Sequence, residues 1–248
     1  MVSNKNPYYR NDFARIAVLD ENKMRSELIR YRDKNPYFPL NHKYLLAEAP
    51  KLLNALQDHG DLFGGLTPEQ LVEKIATKTW VNPHAENSEQ LRNSVRTTAQ
   101  SILKFSRDRE VSGRNRRIRG FQVIPGVSVT NFWMEAVFRI GNQNSILFLN
   151  PRSTRFNELE KRFVLSLMRE GVAEGLALAR DEVQLGILDF RKTPKGTKEA
   201  TLTTNHGLEH FSLDELQSMV GKMAEIWLEI NSGYGEMKST GTNEPRFL

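Results

Sequence analysis

The chain has 248 residues, 39% of them apolar, enough to bury a substantial core without covalent staples. It has no cysteine, which excludes disulfides, thiolate metal sites, cysteine nucleophiles and iron–sulfur clusters. The net charge is +5, and the longest aliphatic run in the strand-like segments, ILFL, falls far short of the roughly 18–20 apolar residues of a membrane span, so no membrane partner is expected.

The opening MVSNKNPYYRNDFARI has charges and a proline where a secretory peptide needs an apolar block. A cytoplasmic protein of bacterial type is therefore expected, with residues 1–19 irregular. In DENKMRSELIRYRDKNP, Asp20 caps a helix whose stripe is Met24, Leu28 and Tyr31 and which Pro36 stops. HKYLLAEAPKLLNALQDHG reads as a second helix, interrupted or kinked near Pro50 and closed by Gly60. LTPEQLVEKIATKTW begins with Thr67 as cap, Pro68 in the first helical position and Gln70 completing a capping box. After VNPHAENS, a longer helix over 88–107 places Leu91, Val95, Ala99 and Ile102 on one face.

From residue 121 the period changes. FQVIPGVSVTNFWMEAVFRI holds two extended segments about Pro125 and Gly126, and GNQN turns into SILFLN, apolar on both sides and so expected to be central. NELEKRFVLSLMREGVAEG is a helix with Leu159, Phe163, Leu167 and Met168 inward, followed by strand VQLGILDFRK, turn TPKGTKE and strand ATLTTN. The last helix carries Leu213, Leu216, Met219, Val220, Met223, Ile226, Trp227 and Ile230 on a broad apolar stripe, the cover that a sheet needs. The expected fold is α+β: a helical region at 20–110, a basic linker at 111–120, a mixed or antiparallel sheet domain at 121–230 covered by two helices, and a flexible tail at 231–248.

Three groups of residues bear on chemistry. HGLEH, His206 to His210, resembles the H-x-x-E-H signature of zinc proteases, where two histidines four apart on a helix bind metal and the glutamate activates water. The neighbours disagree: Ser212 and Glu215 form a capping box and Phe211 with Leu216 a hydrophobic staple, so a helix starts after the histidines. Asn205 to Gly207 reads as the turn of a hairpin with LEHF as its second arm, and a further carboxylate would have to come from Glu225 or Glu229 of the last helix.

The positive charge is concentrated in one stretch. Between Arg92 and Arg119 lie nine cations, Arg92, Arg96, Lys104, Arg107, Arg109, Arg114, Arg116, Arg117 and Arg119, against Asp108 and Glu110, a net +7 that leaves the rest of the chain near −2. Arg92, Arg96, Lys104 and Arg107 share one arc of the 88–107 helix, and guanidinium forks on such a ridge suit phosphate oxygens. Helix, connection, basic helix and basic loop resemble a winged helix-turn-helix, which implies DNA or RNA as partner through backbone contact.

The strand–strand–helix–strand order of the second half resembles the PD-(D/E)XK nuclease core, which implies magnesium held by Glu135 and Asp189, with Arg191 or Lys192 beside the reacting phosphate. DFRK departs from that pattern, since Arg191 stands at the lysine slot and an arginine is a poor proton shuttle. The sequence reading favours a non-catalytic nucleic-acid-associated protein without a cofactor. A nuclease, active or degenerate, and a subunit of a larger assembly with a protein partner or a second copy stand as alternatives.

Overall fold

The computed structural model describes residues 10–33, 42–54, 66–79, 88–114, 137–152, 154–175 and 183–239. The first helices are α1 (Arg10–Ala17), α2 (Glu21–Asp33), α3 (Lys43–Leu53), α4 (Pro68–Lys78) and α5 (Ser88–Asp108). Helix α2 starts where Asp20 Oδ1 accepts the Lys23 amide at 3.0 Å, and it buries Met24 and Leu28 as the spacing predicts. Helix α4 opens on a reciprocal capping box: Thr67 Oγ1 accepts the Gln70 amide at 3.2 Å, while Gln70 Oε1 accepts the Thr67 amide at 2.8 Å. Helix α3 runs through Pro50 rather than breaking there, and it ends at Leu53, three residues later, so Gly60 does not close it.

Five strands, β1 (Ser112–Arg114), β2 (Val137–Ile140), β3 (Gln143–Asn150), β4 (Val183–Lys192) and β5 (Lys198–Thr204), form one sheet in the order β1-β2-β3-β4-β5. Neighbours are antiparallel except β3 and β4, which are parallel and connected through α6 (Glu158–Gly175). Gly141, at φ 58°, and Asn142 make the two-residue turn between β2 and β3, where positive φ is what a tight hairpin requires. Strand β3 is buried on both faces from Ser145 to Asn150, which explains its unbroken apolar run. Helix α7 (Leu213–Ser239) completes the chain.

The protein is α+β with a mixed sheet between two helical layers. Ile146, Phe148, Val183, Leu185 and Ile187 pack on one face against α1, α2, α6 and α7. Leu147, Leu149, Leu188 and Phe190 pack on the other against α3, α4 and α5. Helices α3, α4 and α5 thus cover one side of the sheet, and α1 and α2 join the two expected C-terminal helices on the other. Strand β1 is tied to the α3–α5 layer by Asn54 Oδ1, which accepts the Gly113 amide at 2.7 Å.

Several local expectations differ from the structure. Within the segment read as irregular, α1 is helical because Phe13, Ala14, Ile16 and Ala17 are buried and Arg152 clamps Asp12 bidentately at 2.5 and 2.7 Å. Leu159 and Leu213 point outward, with 53% and 45% exposure, since both sit in the first turn of their helices. Helix α7 continues to Ser239, into the segment read as a tail. Of the two extended segments about Pro125 and Gly126, the second ends in β2, whereas residues 121–136 lie outside the described residues.

Candidate functional site

On the basic helix α5, the apolar stripe is buried against α3, α4 and the sheet, with Val95, Ala99 and Ile102 fully enclosed. Beside it the cations meet carboxylates. Arg96 Nε donates to Glu73 at 2.9 and 3.1 Å, Arg107 donates to Glu69 at 2.6 Å, and Arg92 lies 3.9 Å from Glu89. The hydrogen bond from Arg107 holds the Glu69 carboxyl below its usual pKa range. Two of these pairs tie α5 to α4, so part of the ridge serves the helix–helix contact. Lys104 and Arg109 are exposed and have no ion pair among the described residues. Arg114 belongs to β1, opposite Val137. Arg116, Arg117 and Arg119 lie outside the described residues.

Asp189 and Asn150 are register partners at the carboxyl ends of the parallel strands β4 and β3. Asn150 Nδ2 donates to Asp189 Oδ1 at 2.6 Å and lies 3.3 Å from the Thr154 carbonyl. Asp189 is 2% exposed, and burial raises its pKa despite the Asn150 hydrogen bond and the charges of Lys161, Arg155 and Arg15. Around it the connection to α6 is fastened: Arg15 donates to the Thr154 carbonyl at 2.7 Å and Arg155 to Thr201 Oγ1 at 3.1 Å. This carboxyl orders a loop. Alternation puts Asp189 and Arg191 on one face and Lys192 on the other, so the nuclease candidates from β4 divide between the two layers. Glu135 lies outside the described residues.

HGLEH is a turn. Strand β5 ends at Thr204, His206 is exposed, and Gly207 adopts φ 71°, which ends the extended conformation instead of starting a second hairpin arm. LEHF is held against α6 by side chains. Phe211 N donates to Ser166 Oγ at 2.9 Å, Ser166 Oγ lies 3.4 Å from His210 Nδ1, and the Arg162 guanidinium stacks 4.0 Å from the Phe211 ring centroid. Burial and the charges of Arg169 and Arg162 depress the His210 pKa. Ser212 and Glu215 then form the predicted capping box of α7. Among the described residues no group of three or more His, Asp or Glu side chains could hold a metal ion. Glu225 is exposed on α7, and Glu229 is 2.5 Å from Arg25.

The sequence reading passed over one feature. Lys198, at the start of β5 where α5 packs on the sheet, acts electrostatically on His42, which lies on the other half of the chain. Lys198 lies on the inward face of an edge strand, and a charged residue inside an alternating pattern is the signal that could have marked it.

A family model described as sliding clamp-binding bacterial toxin SocB matches residues 11–234. A DNA replication inhibitor toxin SocB from Caulobacter vibrioides is 23% identical over 236 residues, covering 93% of each chain. No solved structure matches.

Proposed function

The chain belongs to the family of the sliding clamp-binding bacterial toxin SocB, and from that premise we propose that it inhibits DNA replication by binding a sliding clamp in the bacterial cytoplasm. The observation that carries this reading is the extent of the likeness, which runs from α1 into α7 and so takes in both helical layers and the whole sheet. The placement of the polar residues is in keeping with a binding protein. Asp189 is enclosed beneath the loop it orders, Lys192 stands on the opposite face, and His210 is bound up with Ser166 in a latch.

The test is direct. The purified chain should co-elute with a bacterial sliding clamp in size-exclusion chromatography, and its expression should halt incorporation of labelled thymidine until surplus clamp is supplied. Arrest of synthesis without clamp binding, or binding without arrest, would overturn the reading.

A second reading, contact with the phosphate backbone of nucleic acid, draws on the exposed Lys104 and Arg109 and on the arginines of residues 114–119. The ion pairs of Arg96 and Arg107 leave it fewer cations than the sequence suggested.

A further inference from the structure

Strands β4 and β5 are joined by the turn Thr193–Thr197, in which the Thr193 amide donates to the Thr197 carbonyl at 2.8 Å and Gly196 sits at φ 79°. The first register pair beyond that turn is Lys192 with Lys198. Like charges directly opposite in an antiparallel pair repel, and strands ordinarily avoid the combination. Here one of the two is also drawn into the protein. Lys198 Nζ donates to Thr98 Oγ1 at 2.7 Å and to Ser94 Oγ at 3.0 Å on α5. An ammonium has three N–H donors, so one is left over. Neither lysine has an ion pair with a carboxylate among the described residues. The adjacent acid, Glu199, is the register partner of Arg191, and alternation carries that pair to the opposite face.

A third group lies within electrostatic reach of Lys198. His42 caps α3 without a side-chain hydrogen bond, and its Nδ1 is buried with no partner. Burial and the positive charges of Lys198 and Arg152 push its pKa down to about 4. Burial and Lys192 push that of Lys198 down to about 8. The charges that act on His42 are thus Lys198 of β5 and Arg152 of the β3–α6 connection, both cationic. Arg152 is neutralised by Asp12, whereas the two lysines are not.

We propose that the base of the β4–β5 hairpin binds a phosphoryl group, held by Lys198 and Lys192 from the sheet and by His42 at the start of α3. Mutual repulsion of two lysines and an unsatisfied ring nitrogen are costs that one anion placed between them would remove together. Two ammonium groups and a ring nitrogen, drawn from three elements, suit the concentrated negative charge and multiple acceptor oxygens of a phosphoryl group. The fixed hydroxyls of Ser94 and Thr98 orient the Lys198 ammonium in advance, which lowers the entropic cost of binding. The phosphoryl group belongs either to a free nucleotide or to a nucleic-acid backbone. Neither source depends on clamp binding.

The experiment uses the full chain and inorganic phosphate, with chloride at equal ionic strength as reference. Phosphate should raise the melting temperature above the chloride value, and Lys198→Met should weaken its apparent affinity about tenfold, the effect of losing one charge-assisted hydrogen bond. Lys198→Met should fold, because Thr98 Oγ1 also donates to the Ser94 carbonyl at 2.7 Å. Lys192→Gln, on an exposed side chain, should weaken phosphate as well, while Lys104→Gln on α5 should not. Proton NMR should show the His42 pKa rising on phosphate addition, a change that a purely structural lysine would not produce. Competition with ATP and with a DNA duplex assigns the source: displacement of phosphate by ATP alone favours a nucleotide, and displacement by the duplex favours a backbone. A phosphate response no greater than that to chloride, or one unchanged in both Lys198→Met and Lys192→Gln, overturns the proposal.

Discussion

Asp189 shows how a single acid can suggest catalysis in sequence and serve architecture in the fold. Its carboxyl lies under the β3–α6 connection, where Asn150 bridges it to the Thr154 carbonyl. Burial disfavours the charged form and raises the pKa, with the Asn150 hydrogen bond and three nearby cations opposing. A carboxyl with a raised folded-state pKa costs the folded state nothing at pH values well below the ordinary aspartate value of 3.8, where it is protonated in both states. The penalty grows as pH rises above the ordinary value and levels off once pH exceeds the raised folded-state value. Asp189→Asn keeps the acceptor for Asn150 and removes the ionisation. Its melting temperature should exceed that of the parent by a few degrees at pH 7, and the two should converge below pH 3.8. A variant less stable at pH 7 would show that the charge itself is needed, as it would be at a magnesium site.

At the scale of elements, two devices read from sequence hold the helices in place, and each has a measurable weight. The Ser212–Glu215 box starts α7 immediately after the HGLEH turn, so Ser212→Ala should cost about 1 kcal/mol in denaturant unfolding. A loss within error would mean that the Ser166 and Arg162 latch alone fixes the start of this helix. The α4–α5 pairs are exposed and worth at most about 1 kcal/mol each. Replacing Glu69 and Glu73 together by glutamine should therefore lower stability only slightly, while releasing Arg96 and Arg107. Under the backbone-contact reading, that double variant binds duplex DNA more tightly at low salt and with a steeper salt dependence. Unchanged or absent duplex binding would remove the reading.

At the scale of the molecule, one sheet carries a core on each face, and each core draws on both halves of the chain. Leu188 and Phe190 of β4 are covered by α3, α4 and α5, while Phe13 of α1 packs 5.9 Å from the Phe163 ring. Cutting between residues 111 and 120 would expose an apolar sheet face to water. We expect one cooperative unfolding transition, coincident by far-UV circular dichroism and tryptophan fluorescence, and neither half folded when expressed alone. Two separated transitions would instead mark the 111–120 segment as a domain boundary.

The sequence by itself determined what depends on local spacing. The caps at Asp20, Thr67 and Ser212, the stripes of α2, α5 and α7, and the strands on either side of TPKGTKE follow from short-range hydrogen bonding and periodicity. Only the tertiary structure decided where those elements meet. An eight-residue α1 is too short to be stable alone and exists because the sheet buries it. Proline in α3 is tolerated three residues from the helix end, a position fixed by packing on α5. Arginines that read as a free cationic ridge are paired with carboxylates on α4, 23 and 38 residues distant in sequence. Lys198 and His42 carry no shared pattern at all. Long-range burial brings an edge strand and a helix start within electrostatic reach, and with them a lysine without an acid among the described residues and an imidazole kept neutral.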